Sequence, residues 1–306
     1  MPFVTKHYSI KSPVKSLDFL THELGYNRSE AQRLIHRGRL TQNDIVIDNP
    51  FSLLEGEVGL LCFEALSQGL DPVYETQHFA VYDKPSGLRV HPYSRRSPYT
   101  LNDEIKSRYG NDANAAHRID QETSGLVLVT LNKNSEAVIK CLFSERYIVK
   151  KYLAMVRGEI KTTLNIDAPL LHHDHPNMAI SMVVKVDPKG KHAQTVITPI
   201  RYFPELDATL IEASPLTGRT HQIRVHLFHV KHPIIGDPIY GQSENTIERY
   251  RNLEISREER LMLCGAKRLL LHAHSLEFDY DAQRYRIESN ENFIETCFRA
   301  MGKNID

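Results

Sequence analysis

The stretch HRIDQETSGLVLVTLNK, His117 to Lys133, decides how the rest of the chain is read. Its second half is an apolar run with β character at Val127 to Thr130, and a Thr-Ser-Gly turn leads into it. Outward from it, Tyr152 to Val156, Thr195 to Ile200 and Ala208 to Ala213 have the same β-like character, and Pro or Gly turns separate many of them. Helical patterns alternate with these strands. The expected class is α+β, built on a mixed, mainly antiparallel sheet.

The first half of the stretch is polar. Asp120 follows a His-Arg-Ile triplet and stands where a loop becomes a strand. One reading is structural, an aspartate that caps a turn or pairs with Arg118. The other is a carboxylate nucleophile. A nucleophilic carboxylate must stay ionised while partly buried, so it needs a cation beside it. Arg219 and Arg224 are the candidates, both within PLTGRTHQIRVHLFHVKHPIIGDPIYG, Pro215 to Gly241. A third polar segment among apolar residues is VYDKPSGLRVHP, Val81 to Pro92. Other chemistries find no motif. There is no G-x-S-x-G elbow and no H-E-x-x-H. No G-x-G-x-x-G follows a strand, and Gly190-Lys191 continues into His192 rather than Ser or Thr. Neither a metal nor a nucleotide cofactor is expected.

The N-terminal part reads as a separate small unit, residues 1–66 with a core at 16–63, followed by a larger domain, 67–306. Residues 65–76 read as a linker. Ser16 is placed to cap a helix carrying Leu17, Leu20 and Leu24, which Gly25 ends. A second helix is expected from Ser29, with Gln32 completing a capping box. Its apolar side holds Ala31, Leu34 and Ile35. Arg28, Arg33, Arg37 and Arg39 crowd the same segment against one carboxylate, Glu30. They form either a solvated face or a phosphate-binding face. TQNDIVIDNP and EGEVGLLCF follow as strands.

The 306 residues carry 38 basic and 38 acidic side chains, so the balance gives no general attraction to nucleic acid. Any RNA contact must come from local patches. Four scattered cysteines argue against a disulfide framework or a structural zinc site. His172, His173 and His175 cluster around Asp174, either a metal-binding group, which would make this a metal-binding protein, or histidines crowded in a loop beside Pro176 that need no metal, the preferred reading. No apolar run approaches membrane-spanning length, and the polar N-terminus does not read as a secretory signal. The expectation is a cytoplasmic protein with no membrane partner.

Several motifs in order carry a resemblance. HRIDQETSGLVLV is similar to the H-R-L-D-x-x-T-S-G-L stretch of RluA-type pseudouridine synthases. DKPSGLRVHP, Lys150-Lys151-Tyr152, Gly190 to Thr195, TGRTHQIRVH, HPIIGDPIYG and LLLHAHSLEF follow that family's series over roughly residues 71 to 280. The N-terminal segment resembles the small RNA-binding domain of ribosomal protein S-four, with Asp44-Ile45 where that family often has Asn-Gly. The resemblance implies an RNA pseudouridine synthase, an isomerase working without cofactor. It implies Asp120 as nucleophile and Arg224 as its ion-pair partner. It implies Tyr152 as a stacking wall for the target uracil, otherwise a core aromatic of its strand. It places Arg118 in the segment that opens the RNA. The implied partner is structured RNA, with large-subunit ribosomal RNA preferred and tRNA as the alternative, or an RNA-binding assembly factor without activity. A monomer is expected. Ile119 replaces the commoner Leu, and Gln121-Glu122 stand where a basic residue is frequent, an expected local loss of RNA affinity.

Overall fold

The computed structural model describes residues 3–94, 97–172 and 183–304. His173, Asp174 and His175 of the histidine cluster lie outside the described residues. The chain divides into two compact units, Met1–Gln68 with Pro92–Ser107, and Gly69–His91 with Arg108–Asp306.

The first unit holds a four-stranded antiparallel sheet of β1 (Phe3–Lys15), β2 (Leu40–Gln42), β3 (Ile45–Ile47) and β4 (Leu53–Phe63), in the order β1-β4-β2-β3. β1 is a strand that the mixed N-terminal sequence did not announce. Only Ile10 of its residues is buried, so it lacks the alternation that marks a half-buried strand. The first helix differs from the expected one. It is a single turn, α1 (Ser16–Asp18), which runs into a π-helical turn at Phe19–Glu23. Ser16 is not its cap, because its hydroxyl donates to the Asn49 carbonyl at 2.8 Å. The second helix, α2 (Arg28–His36), is capped by Asn27, two residues before the expected cap Ser29. Asn27 accepts from the Glu30 amide at 2.9 Å, and Glu30 accepts from the Asn27 amide at 3.3 Å. This box won over Ser29 and Gln32 because an ionised carboxylate at the helix N-terminus also gains from the helix dipole. The β2–β3 turn falls on Asn43-Asp44, both at positive φ (50° and 63°), one residue earlier than the expected Asp44-Ile45. Asn and Asp tolerate that left-handed geometry, whereas the β-branched Ile45 does not.

The second unit is built on one ten-stranded sheet. Its path runs β10 (Leu164–Asp167), β13 (Gln194–Phe203), β14 (Ala208–Pro215), β9 (Val149–Arg157), β15 (Leu271–Tyr280), β8 (Ser124–Thr130), β6 (Phe79–Lys84), β5 (Pro72–Glu75). β7 (Asn114–Ala115) pairs with β8, and β16 (Gln283–Glu288) pairs with β15. Among the described residues, only β8 and β15 run parallel, through His272–Ser124 and Ala273–Gly125. The expected mixed, mainly antiparallel α+β architecture is what forms. The region read as linker ends in β5, an edge strand of this sheet. A separate two-stranded antiparallel sheet pairs β11 (Leu170–His172) with β12 (Val184–Val186).

Every residue of β8 is buried. Gly125 sits in it at φ +109°, and a Cβ there would run into the Ala273 backbone. Glycine is therefore what lets β15 close against the strand that follows Asp120. Two apolar clusters flank this junction. After α3 (Leu101–Tyr109) comes α4 (Lys133–Ser144), and one cluster gathers Phe79, Val81, Leu126 and Leu128 with Ile139 of α4. The other gathers Ala154, Val156, Ile197, Ile211 and Leu271 with Leu227 of α5 (Gln222–His229) and Phe298 of α8 (Phe293–Ala300). Between α5 and β15 the chain forms α6 (Glu244–Arg251) and α7 (Arg257–Cys264).

Candidate active site

The floor of the site is an ion-pair chain. Asp120 leaves the loop before β8, and Arg224 reaches it from the first turn of α5. The Arg224 Nη1 donates to Asp120 Oδ2 at 3.1 Å. The same guanidinium donates twice to Asp237, from Nε at 2.7 Å and from Nη2 at 2.8 Å. Asp237 Oδ1 also accepts from the Ile239 and Tyr240 amides at 2.9 and 3.0 Å. Arg224 and Asp237 are buried, while the Asp120 side chain is 20% exposed. A fork that spends two donors on a buried carboxylate has its position fixed and one face left for Asp120. Arg219, the other candidate cation, donates instead to the His192 carbonyl at 3.0 Å.

Burial alone would raise the Asp120 pKa, but the positive groups around it outweigh burial and hold its carboxyl below the ordinary carboxylate range. His221 lies 3.8 Å away and would add to this if charged. Burial and Arg224 push that imidazole down to about 4, so it is neutral at pH 7 and Arg224 supplies the support. His221 is fixed by Tyr240, its Nδ1 2.9 Å from the phenol oxygen.

Asp120 opens into a cavity of about 900 Å³. Tyr152 of β9 lines it, half-buried, and burial with the Asp120 charge pushes its phenol pKa up. The phenol therefore stays protonated at neutral pH. Among the described residues, the cavity lining carries Arg118, Arg146, Lys150, Arg219 and Arg224 against a single carboxylate, Asp120. Arg118 is exposed, so it is available to a ligand as well as to the cavity. The four remaining predicted arginines belong to the first unit. Arg28, Arg33 and Arg37 are exposed on or just after α2, while Arg39 is half-buried with its guanidinium 5.2 Å from the Phe3 ring centre.

The loop after Asp120 is held by the DKPSG segment, a function its sequence did not disclose. The Gly87 amide donates to the Gln121 carbonyl at 2.8 Å, and the Ser86 hydroxyl to the Glu122 carbonyl at 2.6 Å. Lys84, fully buried, donates to the carbonyls of Pro85, Leu88 and Gln121 at 2.9, 2.7 and 3.2 Å. Burial pushes its ammonium down to about 7, while three carbonyl acceptors favour the charged form, which alone has three donors. A buried lysine was readable from VYDK, where the alternation of an exposed strand is missing. Asp237 stands in HPIIGDPIYG, but nothing local paired it with Arg224. Glu122 does not present its charge to a ligand, because its carboxylate pairs with Arg260 at 2.6 Å.

α5 is anchored by its own polar residues. Gln222 donates to the Gln194 carbonyl and to Thr195 Oγ1, both at 2.9 Å, and accepts from Thr217 Oγ1 at 2.7 Å. His226 bridges Thr195 and the Ala168 carbonyl at 2.9 Å each. These buried groups are satisfied, which makes the helix a rigid carrier for Arg224. Asp83, His272 and Glu291 are grouped closely enough to hold a cation. The Arg268 guanidinium already stands 3.5 Å from Glu291, so the group is organised as an ion pair.

The RNA pseudouridylate synthase family model matches residues 78–229. A Helicobacter pylori protein described as an uncharacterized RNA pseudouridine synthase is 37% identical over 289 residues, 94% of each chain. The ribosomal large subunit pseudouridine synthase C of Vibrio vulnificus is 35% identical, over 71% of this chain and 64% of that one. The mitochondrial tRNA pseudouridine(32) synthase of Saccharomyces cerevisiae is 36% identical, over 58% of this chain and 38% of that one. Among solved structures, human RNA pseudouridylate synthase domain containing 1 shares the fold, with a TM-score of 0.61 at 24% identity over 78% of this chain and 90% of that chain. With its motifs in order and a relative matched along nearly its whole length, the chain belongs to the RluA-type family of RNA pseudouridine synthases.

Proposed function

We propose that this synthase isomerises uridine in large-subunit ribosomal RNA, with Asp120 as the nucleophile. The observation that carries this reading is the Asp120 carboxylate, held ionised by Arg224 at 3.1 Å and facing a cavity whose other charged side chains, among the described residues, are lysine and arginines. The base must leave its sugar, turn, and rejoin through carbon. Asp120 serves either by attacking the anomeric carbon or by assisting loss of a sugar proton to give a glycal. The detached uracil has to stay enclosed. Tyr152 supplies the wall, and base–aromatic stacking contributes about 1–3 kcal/mol. Its protonated phenol suits stacking and hydrogen-bond donation better than taking up a proton as phenolate. Flipping the target nucleotide costs a few kcal/mol. Phosphate contacts from Arg118 and its cationic neighbours offset that cost. The ribosomal preference is supported by the Vibrio relative. The yeast relative named for tRNA supports a tRNA substrate as the second reading. A pseudouridine map of total RNA from cells with and without the protein separates them. Loss of a large-subunit site is the expected result, and loss confined to tRNA overturns the ribosomal assignment.

The chemistry asks for no cofactor. Isomerisation is expected to continue in excess chelator with no added nucleotide. A complete, metal-reversible loss would redirect attention to Asp83, His272 and Glu291, or to the histidines from His172 to His175.

For the first unit we propose the role of an RNA-binding domain like that of ribosomal protein S-four. Arg28, Arg33, Arg37 and Arg39 would contact phosphates, which position a protein without reading sequence. Each lost phosphate contact lowers the slope of log affinity against log salt by about 0.7–0.9. Arg33→Ala with Arg37→Ala is expected to weaken RNA binding and flatten that slope, with the chemical step at saturating RNA unchanged. A salt titration beside single-turnover rates measures both. Unchanged affinity and slope would leave these arginines as a solvated face.

A further inference from the structure

The two helices between GDPIYG and LLLHAH, α6 and α7, add nothing to the cavity lining. They do reach the loop that carries Asp120 and the loop that carries Asp237, the carboxylate that grips Arg224. The side chain that does so is Arg260, on α7. Its Nη2 stands 2.6 Å from Glu122 Oε2, two residues past Asp120. The same nitrogen donates to the Gly236 carbonyl at 2.9 Å, one residue before Asp237, which grips Arg224. Tyr250 of α6 completes the arrangement. Its hydroxyl donates to Glu122 Oε1 at 2.6 Å, and its ring centre lies 5.4 Å from the Arg260 guanidinium carbon. Arg249 and Glu259, 2.7 Å apart, tie the two helices together.

These groups are nearly enclosed: Glu122 and Arg260 keep 13% and 11% side-chain exposure. A surface ion pair would have water as an alternative partner; this pair has little. Arg260 Nε is buried and finds no partner among the described residues. The guanidinium therefore gives up one hydrogen bond to keep a position that serves two others. Gly236 and Glu122 belong to different loops, and no other described side chain hydrogen-bonds to both.

We propose that Arg260 is a positioning residue, which holds the Asp120 loop and the Asp237 loop at a fixed separation so that Arg224 meets the Asp120 carboxylate. Glu122 is the receiving group on the catalytic loop, and Tyr250 keeps its carboxylate turned toward Arg260. The inference rests on the reading of Asp120 as nucleophile. Arg260 touches neither Asp120 nor the cavity, so its removal reaches the chemical step through the placement of the two loops, beside the stability lost when Glu122 is left unpaired. Displacement of a reacting group by about 1 Å can cost about 100-fold in rate.

The test measures single-turnover rate at saturating RNA together with RNA affinity, on protein shown to be folded by circular dichroism. Arg260→Ala is expected to slow the chemical step by about 10- to 100-fold, with affinity within about threefold of wild type. Arg260→Lys, which keeps a charge for Glu122 but has no fork for both acceptors, is expected to fall between the two. Combining Arg260→Ala with Glu122→Ala is expected to cost no more than the worse single change, since both break one link. Should Arg260→Ala fail to fold, Glu122→Gln keeps the shape and removes the charge, with an expected loss of about three- to tenfold at unchanged affinity. A wild-type chemical rate in Arg260→Ala, or in Glu122→Gln where the former is unfolded, overturns the proposal. So does a loss seen only in affinity. Asp120→Asn run in parallel separates the two readings: if it stays active the nucleophile assignment fails, and if it is inactive while Arg260→Ala is not, only the positioning role fails.

Discussion

Asp120→Asn is expected to abolish pseudouridine formation while leaving the fold and RNA binding in place. Asparagine keeps the shape of the side chain, and its amide oxygen still accepts from Arg224 Nη1, 3.1 Å from the carboxylate oxygen it replaces. Arg224 loses one of its two anionic partners and keeps the stronger, the two-pronged contact with buried Asp237. No buried charge is stranded, so a large stability loss is not expected. The cavity loses its one carboxylate among the described residues and becomes more cationic, which favours a phosphate-bearing ligand. Only the chemistry suffers, because a neutral amide neither attacks the anomeric carbon nor takes the sugar proton. The measurement is single-turnover conversion beside a binding isotherm. Conversion within about tenfold of wild type would remove Asp120 from the mechanism.

Asp120 and Arg224 were both nameable from sequence, because each lies inside a motif whose order along the chain is informative. Their pairing follows from the need for a cation beside a buried carboxylate, and between Arg219 and Arg224 the structure selects the one on the first turn of α5. What holds the pair was harder to see. Asp237 lies 13 residues from Arg224 across a loop, and Arg260 lies far beyond Glu122 in a helix with an ordinary surface pattern. Such links depend on how loops meet, and no periodicity records it. Lys84 was closer to legible: a lysine ending a strand with no polar alternation has to be buried or at an edge. At the other end of the chain, β1 was missed because an exposed strand has no hydrophobic rhythm. The α2 start was displaced because Asn27–Glu30 and Ser29–Gln32 both satisfy the same capping rule, and only the second-order preference for a carboxylate distinguishes them.

Arg224→Lys is the second change with a large expected effect, and it separates charge from geometry. Lysine retains the positive charge but is a single point, whereas the native guanidinium serves Asp237 through two nitrogens and Asp120 through a third. An ammonium placed for Asp237 cannot also sit within hydrogen-bonding reach of Asp120. Losing hydrogen bonds to buried charged partners is expected to cost about 2–3 kcal/mol of stability, read as a lower denaturant midpoint at unchanged slope. Asp120 then loses part of the support that offsets its burial, and burial, the largest influence on its carboxyl, raises the pKa. The sign of the pH effect follows. In the native protein the Asp120 pKa lies below its unfolded value. The pairing therefore stabilises fully above the unfolded value, near pH 3.9, and is lost as pH falls through the folded one. In the lysine variant that loss moves to higher pH, and the acid limb of the rate profile moves with it. Rates measured from about pH 4 to about pH 8 should show wild-type activity level across the lower end and the variant falling there, beneath an overall drop of about 100-fold. A variant whose acid limb coincides with the wild-type limb would show that Arg224 acts on Asp120 by position only and not through its charge.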